Sequence, residues 1–567
     1  MSPETKTCQN CKKQFIIEPE DFDFYRKINV PPPTFCPKCR FQRRLAVFNL
    51  MTLYRRRCDL CGEEKISMYS PNSPYKVYCP QCWWSDKWEP LSYGREYNFN
   101  RPFFEQFNEL FHEVPLLGLS IDFQVAATSP YNNHAGHLKN CYMLFYADFD
   151  EDCAYGLVVV DNRMLLDCSM LKLCEFCYDL ANAYKDNRCV GSEDLVESID
   201  CAFMKDSSNC QNCFASASLR NRKYHIFNKP YSKEDYFQEI KKWDLGSYKT
   251  YQEVKRLARE HWKKFPPRPK FDDLSVNSTG SYVFQSKNCK ECFEVIGAED
   301  SKYLFLLPES PIKDAYDVSS WGNNLQLAYE SCVVGENASN VRFCQESGIN
   351  LLNAEYCKLS TGGSNHFGCV SMKKGNYCIL NRQYSEEEFK KLRAKIIEHM
   401  NSTPYFDKQG LKYTYGEFFP VEISPFVYSE TLAQTFIPIT KEEALSKGWG
   451  WREADSRSHS ITKPADKLPD HIKDAPENIT KEVIGCSSCS RGFKIIPMEL
   501  EFLRKMNLPL PRECPFCRIN EKFRKWVKNL RVFQRTCSKC GAGFETHYPK
   551  EEADYILCKK CYLQEVV

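Results

Sequence analysis

Sixteen of the 32 cysteines in this 567-residue chain fall in eight C-x-x-C pairs near its two ends. A tight C-x-x-C turn brings two thiolates to one ion, and a second pair about 20 residues further on completes a tetrahedron around Zn²⁺. The spacing therefore predicts about four zinc ions per chain. The predicted ligands are Cys8, Cys11, Cys36, Cys39, Cys58, Cys61, Cys79, Cys82, Cys486, Cys489, Cys514, Cys517, Cys537, Cys540, Cys558 and Cys561.

We expect consecutive pairs to share an ion, so that Cys8 and Cys11 join Cys36 and Cys39, and each later set follows the same rule. A cross-braced pairing, first with third and second with fourth, is the alternative. Iron is a second alternative, but the repeated paired spacing favours zinc. Four thiolates leave no open coordination position for water, so these sites are predicted to be structural rather than catalytic.

The two terminal modules are copies of one another. Their four cysteine pairs follow the same spacing to within one position, so that the pairs beginning at Cys8, Cys36, Cys58 and Cys79 match those beginning at Cys486, Cys514, Cys537 and Cys558. Residues 15–40 (FIIEPEDFDFYRKINVPPPTFCPKCR) align without gaps on residues 493–518 (FKIIPMELEFLRKMNLPLPRECPFCR). This pattern resembles the zinc-ribbon (treble-clef-like) module of many uncharacterised bacterial proteins, and the layout is similar to bacterial proteins with such modules at both ends. The resemblance covers roughly 160 of the 567 residues; it implies a fold and a metal but no activity.

A basic segment follows each CPxCR sequence and is predicted to be helical, over 40–57 and 518–535. Such cations could bind the phosphates of RNA, DNA or a ribonucleoprotein. They could instead balance the net charge of −2 on each zinc–thiolate cluster, or meet an acidic protein partner. The candidate nucleic-acid ligands are Arg40, Arg43, Arg44, Arg55, Arg56, Arg518, Lys522, Arg524, Lys525 and Lys528.

The central region contains a second duplication. HLKNCYMLF (137–145) resembles QSKNCKECF (285–293), and NRKYHIFNKPYSKEDY (221–236) resembles KGNYCILNRQYSEEEF (374–389). Cysteines recur near every twelfth residue, between short apolar segments and Asn, Asp, Ser or Gly turns. This pattern predicts a parallel β-solenoid of about 24 residues per coil with cysteines stacked inside, with a β-sandwich in each half as the alternative.

Three further C-x-x-C pairs lie in this central region. They could form an extra metal site or a redox pair, but stacked core thiols are the favoured interpretation because the pairs lack the proline-flanked turns of the terminal modules. The pairs are Cys174 with Cys177, Cys210 with Cys213, and Cys289 with Cys292.

The predicted fold class is an α+β multidomain protein, with tandem zinc-ribbon or treble-clef modules at both termini and a duplicated, mostly β centre. The predicted segments are a zinc module (1–90), a first β half (91–245), a helical connector (246–269), a second β half (270–400), a partly extended linker region (401–481) and a second zinc module (482–567).

Composition narrows the function. No apolar stretch is long enough to span a membrane and the N-terminus lacks a signal peptide, so we expect a cytoplasmic protein with reduced thiols. Four zinc–tetrathiolate sites lower the formal net charge from +3 to about −5. The common phosphate-loop, metalloprotease and hydrolase motifs are absent from the sequence, which makes an enzyme the less favoured class. The preferred hypothesis is a non-enzymatic zinc protein that binds nucleic acid or a ribonucleoprotein; the alternative is a protein–protein scaffold that uses the β-repeat surface.

Overall fold

The computed structural model describes residues 2–453 and 460–566. The chain divides into two compact units, each of which is discontinuous in sequence. The first unit comprises Met1–Ser120 and Phe271–Glu453, and the second comprises Ile121–Lys270 and Ala454–Val567. The first unit therefore combines the N-terminal cysteine module with the second β repeat, and the second unit combines the first β repeat with the C-terminal module. Part of the predicted linker region, 454–459, lies outside the described residues.

The central region is a parallel β-solenoid in each unit, as predicted, but its coils are half the expected length. In the first solenoid the register pairs Leu165 with Cys177, Ala181 with Glu193, and Glu193 with Lys205, so each coil repeats after twelve positions. In the second solenoid the repeat varies from twelve to fourteen positions. The predicted coil was too long by a factor of two, because the cysteine spacing marks a whole coil rather than half of one.

Left-handed corners make these short coils possible. From Asn140 to Tyr224 every third residue has a positive φ, with values between 43° and 62°. Each coil of the first solenoid is therefore a quadrilateral with four corners and three residues on each side. Asn and Asp tolerate this conformation better than other non-glycine residues, and they recur at the corners, as at Asp152, Asp161 and Asn182.

Because four sides of three residues make a coil of twelve, inward-facing side chains twelve residues apart lie above one another and form ladders. One ladder consists of cysteines interrupted by Leu165, and Cys153, Cys189 and Cys213 within it are fully buried. A second ladder is polar: the Asp150 and Asn162 side chains accept hydrogen bonds from backbone N–H groups of the next coil, at 2.9 Å each. The interior is thus a stack of thiols and apolar side chains with hydrogen-bonded polar groups among them; Ser192 and Ser207, in two other ladders, also accept backbone N–H hydrogen bonds from the next coil.

Both solenoids end in the same way. A short antiparallel pairing closes the last coil, and a helix with a serine N-cap follows it. The Ser232 and Ser385 hydroxyls accept hydrogen bonds from the backbone N–H groups of Asp235 and Glu388, at 3.0 and 3.3 Å. Serine at this position satisfies a backbone donor that the first helical turn leaves unpaired.

The basic segment of the N-terminal module is shorter as a helix than predicted. It is helical only over Pro37–Leu45, the N-terminal zinc helix, and Tyr54–Arg57 is a strand that pairs with Glu64–Ser67. The hairpin that carries Cys58 and Cys61 requires this strand. In the C-terminal module the equivalent helix, the C-terminal zinc helix, spans Pro515–Asn529 and is followed by strand Phe533–Thr536.

The elements of the first unit range from two-residue strands to the 17-residue helix Glu386–Ser402. Its α-helices are Pro19–Lys27, Pro37–Leu45, Pro80–Trp83, Phe103–Glu113, Glu386–Ser402, Leu432–Phe436 and Lys441–Ser446, and its strands are Glu4–Thr7, Gln14–Ile17, Tyr54–Arg57, Glu64–Ser67, Val77–Tyr78, Leu116–Leu117, Gly280–Phe284, Cys292–Ile296, Ala298–Glu299, Phe305–Leu307, Ile312–Gly322, Leu325–Gly335, Ser339–Arg342, Gln345–Glu355, Thr361–Phe367, Asn376–Ile379, Arg382–Gln383, Tyr405–Phe406 and Lys412–Tyr413.

Among the described residues no helix has the length and apolar character that a membrane crossing requires.

In the second unit, the helix Tyr248–Trp262 lies in the predicted connector. The α-helices of this unit are Phe123–Thr128, Lys233–Ile240, Tyr248–Trp262, Pro497–Lys505, Pro515–Asn529 and Lys559–Val566, and its strands are Asn133–Gly136, Tyr142–Asp148, Ala154–Val160, Arg163–Leu166, Ser169–Lys172, Glu175–Tyr178, Ala181–Tyr184, Glu193–Val196, Lys205–Ser208, Gln211–Phe214, Lys223–Ile226, Lys229–Pro230, Lys463–Pro464, Ile484–Gly485, Gly492–Phe493, Phe533–Thr536 and Gly543–Thr546.

Candidate metal centres

Four groups of four cysteines form the candidate metal centres. Within each group all four sulfur atoms lie within 4.8 Å of one another. The groups join consecutive C-x-x-C pairs, which is the sequential arrangement rather than the cross-braced one. The first group is Cys8, Cys11, Cys36 and Cys39; the second is Cys58, Cys61, Cys79 and Cys82; the third is Cys486, Cys489, Cys514 and Cys517; the fourth is Cys537, Cys540, Cys558 and Cys561.

The first pair of each group lies in a hairpin turn of one repeated geometry. The residue after the second cysteine is left-handed and donates its N–H to the carbonyl oxygen of the first, at 3.0 Å from Lys12, 2.9 Å from Gly62, 3.0 Å from Ser490 and 3.0 Å from Gly541. This turn points both sulfurs toward one ion. Glycine adopts the required φ without strain, and it occupies the position in the second and fourth groups.

The second pair of the first three groups lies at the start of a helix. Cys36, Cys79 and Cys514 are helix N-cap residues, and a proline follows each of them. Proline suits the first helical position because its missing N–H would be unpaired there. The positive end of the helix dipole favours a thiolate at this place.

Backbone donors also approach the sulfurs directly. The Cys8, Cys58 and Cys486 sulfurs accept N–H hydrogen bonds from Cys36, Cys79 and Cys514 at 3.3, 3.2 and 3.2 Å. Hydrogen bonds of this kind stabilise a thiolate relative to a thiol. The hydrogen bond from the Cys79 thiol is the largest cause that lowers the pKa of Cys58, to about 4.

The sulfur separations fit a tetrahedral zinc ion. Four sulfurs at about 2.3 Å from Zn²⁺ lie about 3.8 Å from one another. The observed Sγ–Sγ distances are 3.6 Å for Cys11 with Cys36, 3.8 Å for Cys486 with Cys517, and 3.7 Å for Cys540 with Cys558. A zinc ion held here would cross-link the hairpin to the following segment.

No protein-family model matches the chain. No curated protein is significantly similar to it. The function must therefore be inferred from the geometry of the site and its surroundings.

The cysteines of the solenoids behave differently from the terminal ones. All of them are buried. Across residues 2–453 and 460–566, none of them belongs to a group of three or more ligands close enough to share a metal. This placement agrees with the interpretation of Cys174, Cys177, Cys210, Cys213, Cys289 and Cys292 as stacked core thiols.

The N-terminal zinc helix directs three of its cations into the second solenoid. The Arg40 Nε atom donates to Asp317 Oδ2 at 2.9 Å, and Arg44 Nη1 donates to Asp317 Oδ1 at 2.8 Å. Arg43 Nη2 contacts Glu330 at 2.5 Å and Glu417 at 3.0 Å. The side chains of all three arginines are at most 4% exposed, so they serve as interior ion-pair partners here.

The C-terminal zinc helix repeats this arrangement on the first solenoid. Arg518 contacts Asp167 and donates to Glu499 at 2.9 Å, and Lys522 contacts Asp179 at 2.6 Å. The Arg518 and Lys522 side chains are 8% and 7% exposed. Arg518 aligns with Arg40 and Lys522 with Arg44, so the duplicated module keeps the same contact in both units.

The pKa shifts of Lys522 and Asp179 indicate that both side chains of this buried pair are charged. Burial alone would raise the pKa of Asp179, but Lys255 and Lys522 lower it well below its usual range. Burial would lower the pKa of Lys522, and Asp179 raises it above its ordinary value. Each charge thus compensates the cost of burying the other.

The other candidate nucleic-acid ligands lie nearer the surface. The Arg55 side chain is 70% exposed, and Arg524 and Lys528 are also exposed. Lys525 is partly exposed and contacts Glu193 at 2.9 Å. Arg56 is largely buried within its own module, where it donates to the Tyr75 carbonyl at 2.6 Å. Nucleic-acid binding through this set stays a prediction, and only its surface members are placed to contact phosphate.

Sequence reasoning missed the carboxylates that receive these cations. Asp167, Asp179, Asp317 and Glu330 all occupy left-handed corners of the solenoids. The period of three with Asp and Asn at its corners was the available sequence signal. Their pairing with helices far away in the sequence had no local signal.

Proposed function

We propose that this protein is a non-enzymatic scaffold in which four structural zinc ions hold the terminal modules folded and the solenoid surfaces bind a protein partner. The observation that carries the proposal is the burial of Arg40, Arg43, Arg44, Arg518 and Lys522 against solenoid carboxylates. These cations hold each zinc module on a solenoid. Half of the basic residues that nucleic-acid binding would use are therefore already paired inside the protein.

An exposed column on the first solenoid supports a protein partner. His137, Phe149 and Leu173 occupy one corner position of different coils, and their exposed fractions are 49% (side chain), 50% and 43%. The His137 and Phe149 rings stack at 4.3 Å. The same column contains Asp161, and Asp148 lies next to Phe149. Acidic side chains beside aromatic ones disfavour a phosphate backbone and are compatible with a protein surface.

Nucleic-acid binding is the second candidate, and one observation favours it. Arg524, Lys528 and Arg531 are exposed, and they follow one another at four- and three-residue spacing along and just beyond the C-terminal zinc helix. Residues spaced in this way share one helix face. A strip of three cations could contact two or three phosphates.

Site-specific photo-crosslinking separates the two candidates. Benzoylphenylalanine would be placed at Phe149, at Lys528 and, as a control, at Asn324, an exposed corner of the second solenoid, and the cells that naturally make the protein would be irradiated. The scaffold predicts a protease-sensitive adduct at position 149 and none at 528 or 324. A nuclease-sensitive adduct at position 528 with none at position 149 would refute the scaffold hypothesis and support nucleic-acid binding.

The purified protein gives an independent check. The scaffold predicts a 260/280 nm absorbance ratio typical of pure protein at low salt and no change after a high-salt wash. Nucleic-acid binding through exposed cations predicts a raised ratio that falls steeply with added salt. The Arg524→Glu, Lys528→Glu double variant would remove that retention.

A further inference from the structure

A cavity of about 470 Å³ lies within the first unit. Its walls come from the end of helix Pro19–Lys27 in the zinc module, from the second solenoid, and from the helix Glu386–Ser402 that follows it. The volume falls in the roughly 300–1,000 Å³ range of small-molecule sites. The metal centres and the exposed column of the first solenoid take no part in this cavity.

One wall of the cavity is a column of amides. Asn340, Asn353 and Asn365 occupy successive left-handed corners, with φ of 57°, 54° and 59°. Asn340 Nδ2 donates to Asn353 Oδ1 at 2.8 Å, and Asn353 Nδ2 donates to Asn365 Oδ1 at 3.2 Å. A carboxamide has two N–H donors and an oxygen with two lone pairs. Each rung therefore keeps hydrogen-bonding capacity for hydroxyl groups after the column is formed.

The wall beside this column has more positive than negative charge. Arg342 Nη2 lies 3.3 Å from one Glu355 oxygen, and Arg393 Nε lies 2.5 Å from the other. Tyr415 donates to the same carboxylate at 2.5 Å. Burial would raise the pKa of Glu355, but Arg342 and Arg393 lower it. One carboxylate therefore faces two guanidinium groups, and one positive charge is left over in the wall.

Two further features point to an anion. Arg342 is 6% exposed, and its Nε atom makes no hydrogen bond to any atom of the described residues. A buried polar atom without a partner is costly and commonly indicates an additional ligand. Lys390 and Lys27 add ammonium groups to the lining. Their carboxylate partners, Glu386 and Asp314, do not line the cavity.

We propose that this cavity binds a small saccharide that carries an oxyanion, either a sugar acid or a sugar phosphate. The oxyanion lies against Arg342, Arg393 and Lys390, where guanidinium and ammonium donors form charge-assisted hydrogen bonds. The hydroxyl groups lie along the amides of Asn340, Asn353 and Asn365, since hydroxyls and carboxamides can each donate and accept. This binding does not depend on the scaffold proposal.

Titration calorimetry on the full-length, zinc-loaded protein tests this site. The probes are D-glucuronate and glucose 6-phosphate, with glucose as the neutral control. At least one anionic sugar should bind saturably and about tenfold or more tighter than glucose. Which of the two binds tighter distinguishes a carboxylate site from a phosphate site.

Matched variants on one helix test the position of the anion. Lys390 and Lys391 are both exposed, and each forms an ion pair with a glutamate four residues earlier, but only Lys390 lines the cavity. Lys390→Glu should weaken the anionic sugar about tenfold or more, and Lys391→Glu by less than about twofold. Because both residues are exposed, zinc content and the thermal midpoint should stay unchanged in both variants.

A second pair of variants tests the amide column. With inorganic phosphate as a further probe, Asn353→Leu should weaken binding of the anionic sugar and leave binding of inorganic phosphate unchanged, because only the sugar has hydroxyl groups for the amide column. Asn337→Leu changes an exposed asparagine of a different column, whose Oδ1 accepts from Asn324 Nδ2 at 2.7 Å, and should leave binding intact. Equal binding of glucose, equal losses in Lys390→Glu and Lys391→Glu, or absence of saturable binding up to about 10 mM would each overturn the proposal.

Discussion

The Nε atom of Arg40 donates to the Oδ2 atom of Asp317 over 2.9 Å, and both side chains are buried. The aligned residue of the C-terminal module, Arg518, contacts Asp167 of the first solenoid in the same way. The duplicated modules have thus kept both their cysteine spacing and an interior ion pair to a β repeat. The helices that carry these arginines begin at cysteines of the candidate metal centres, so a metal bound there would be physically linked to the docking of each module on its solenoid.

Loss of the Arg518 charge should destabilise the second unit. Arg518→Met leaves Asp167 and Glu499 buried without their cation, and an uncompensated buried charge costs about 3–5 kcal/mol. Urea unfolding followed by fluorescence would measure this. Arg524→Met, on the exposed side of the same helix, should change stability by less than about 0.5 kcal/mol. Equal effects of the two substitutions would contradict the structural role of Arg518.

Zinc content should report each cluster separately. The wild-type protein should hold about four zinc ions per chain, and Cys8→Ser should reduce this to about three because a structural site requires all four thiolates. Cys189→Ala changes a buried solenoid cysteine and should leave four. Elemental analysis with a protein assay gives the ratio. Two or fewer zinc ions in the wild type, or iron in their place, would refute the assignment.

Stability should fall as pH rises through the titration of Glu330. Burial raises the pKa of Glu330 to about 7, with Arg43 opposing the shift and Glu417 adding to it. The folded protein therefore holds this proton above the pH at which the unfolded chain, with its pKa of 4.5, releases it. The resulting loss of stability grows from about pH 4.5 and is complete above about pH 7.

Glu330→Gln isolates this contribution. Between pH 5.5 and 7.5 the wild-type protein should lose on the order of 2 kcal/mol more than the variant does. Urea midpoints at the two pH values measure the difference. The same pH dependence in both proteins would show that Glu330 does not take up a proton in the folded state.

An asparagine at a solenoid corner should increase stability. Leu173 has φ of +57° and an exposed fraction of 43%, so a bulky side chain is strained there without full burial in return. Leu173→Asn should stabilise the protein by about 0.5–1 kcal/mol, because asparagine tolerates this conformation. Lys172→Asn changes the preceding strand residue and should be neutral or destabilising. Thermal midpoints would compare them, and a gain from Lys172→Asn alone would contradict the corner geometry.

Some features of this fold could be predicted from patterns of residues close together in the sequence. The C-x-x-C spacing predicted the four cysteine groups and their sequential pairing because the ligands of each group lie within about 30 residues of one another. The similar segments 221–236 and 374–389 both lead into serine-capped helices, as their sequences allow, since an N-cap depends only on residues three apart. The coil length was predicted incorrectly: cysteines recur every twelve residues because one coil has twelve residues, whereas the prediction placed two such segments in each coil.

The sequence by itself determined where zinc could bind and that each module and each β repeat is present twice, and it favoured a parallel β-solenoid for the centre without giving the coil length. These features depend on spacing along the chain. The tertiary structure alone decided what the basic helices do: Arg40 meets Asp317, and Arg518 meets Asp167, across 277 and 351 residues. The sequence around a basic residue does not reveal whether its side chain faces solvent or a buried carboxylate. Only the packing of the helix on a solenoid corner decides between these two environments.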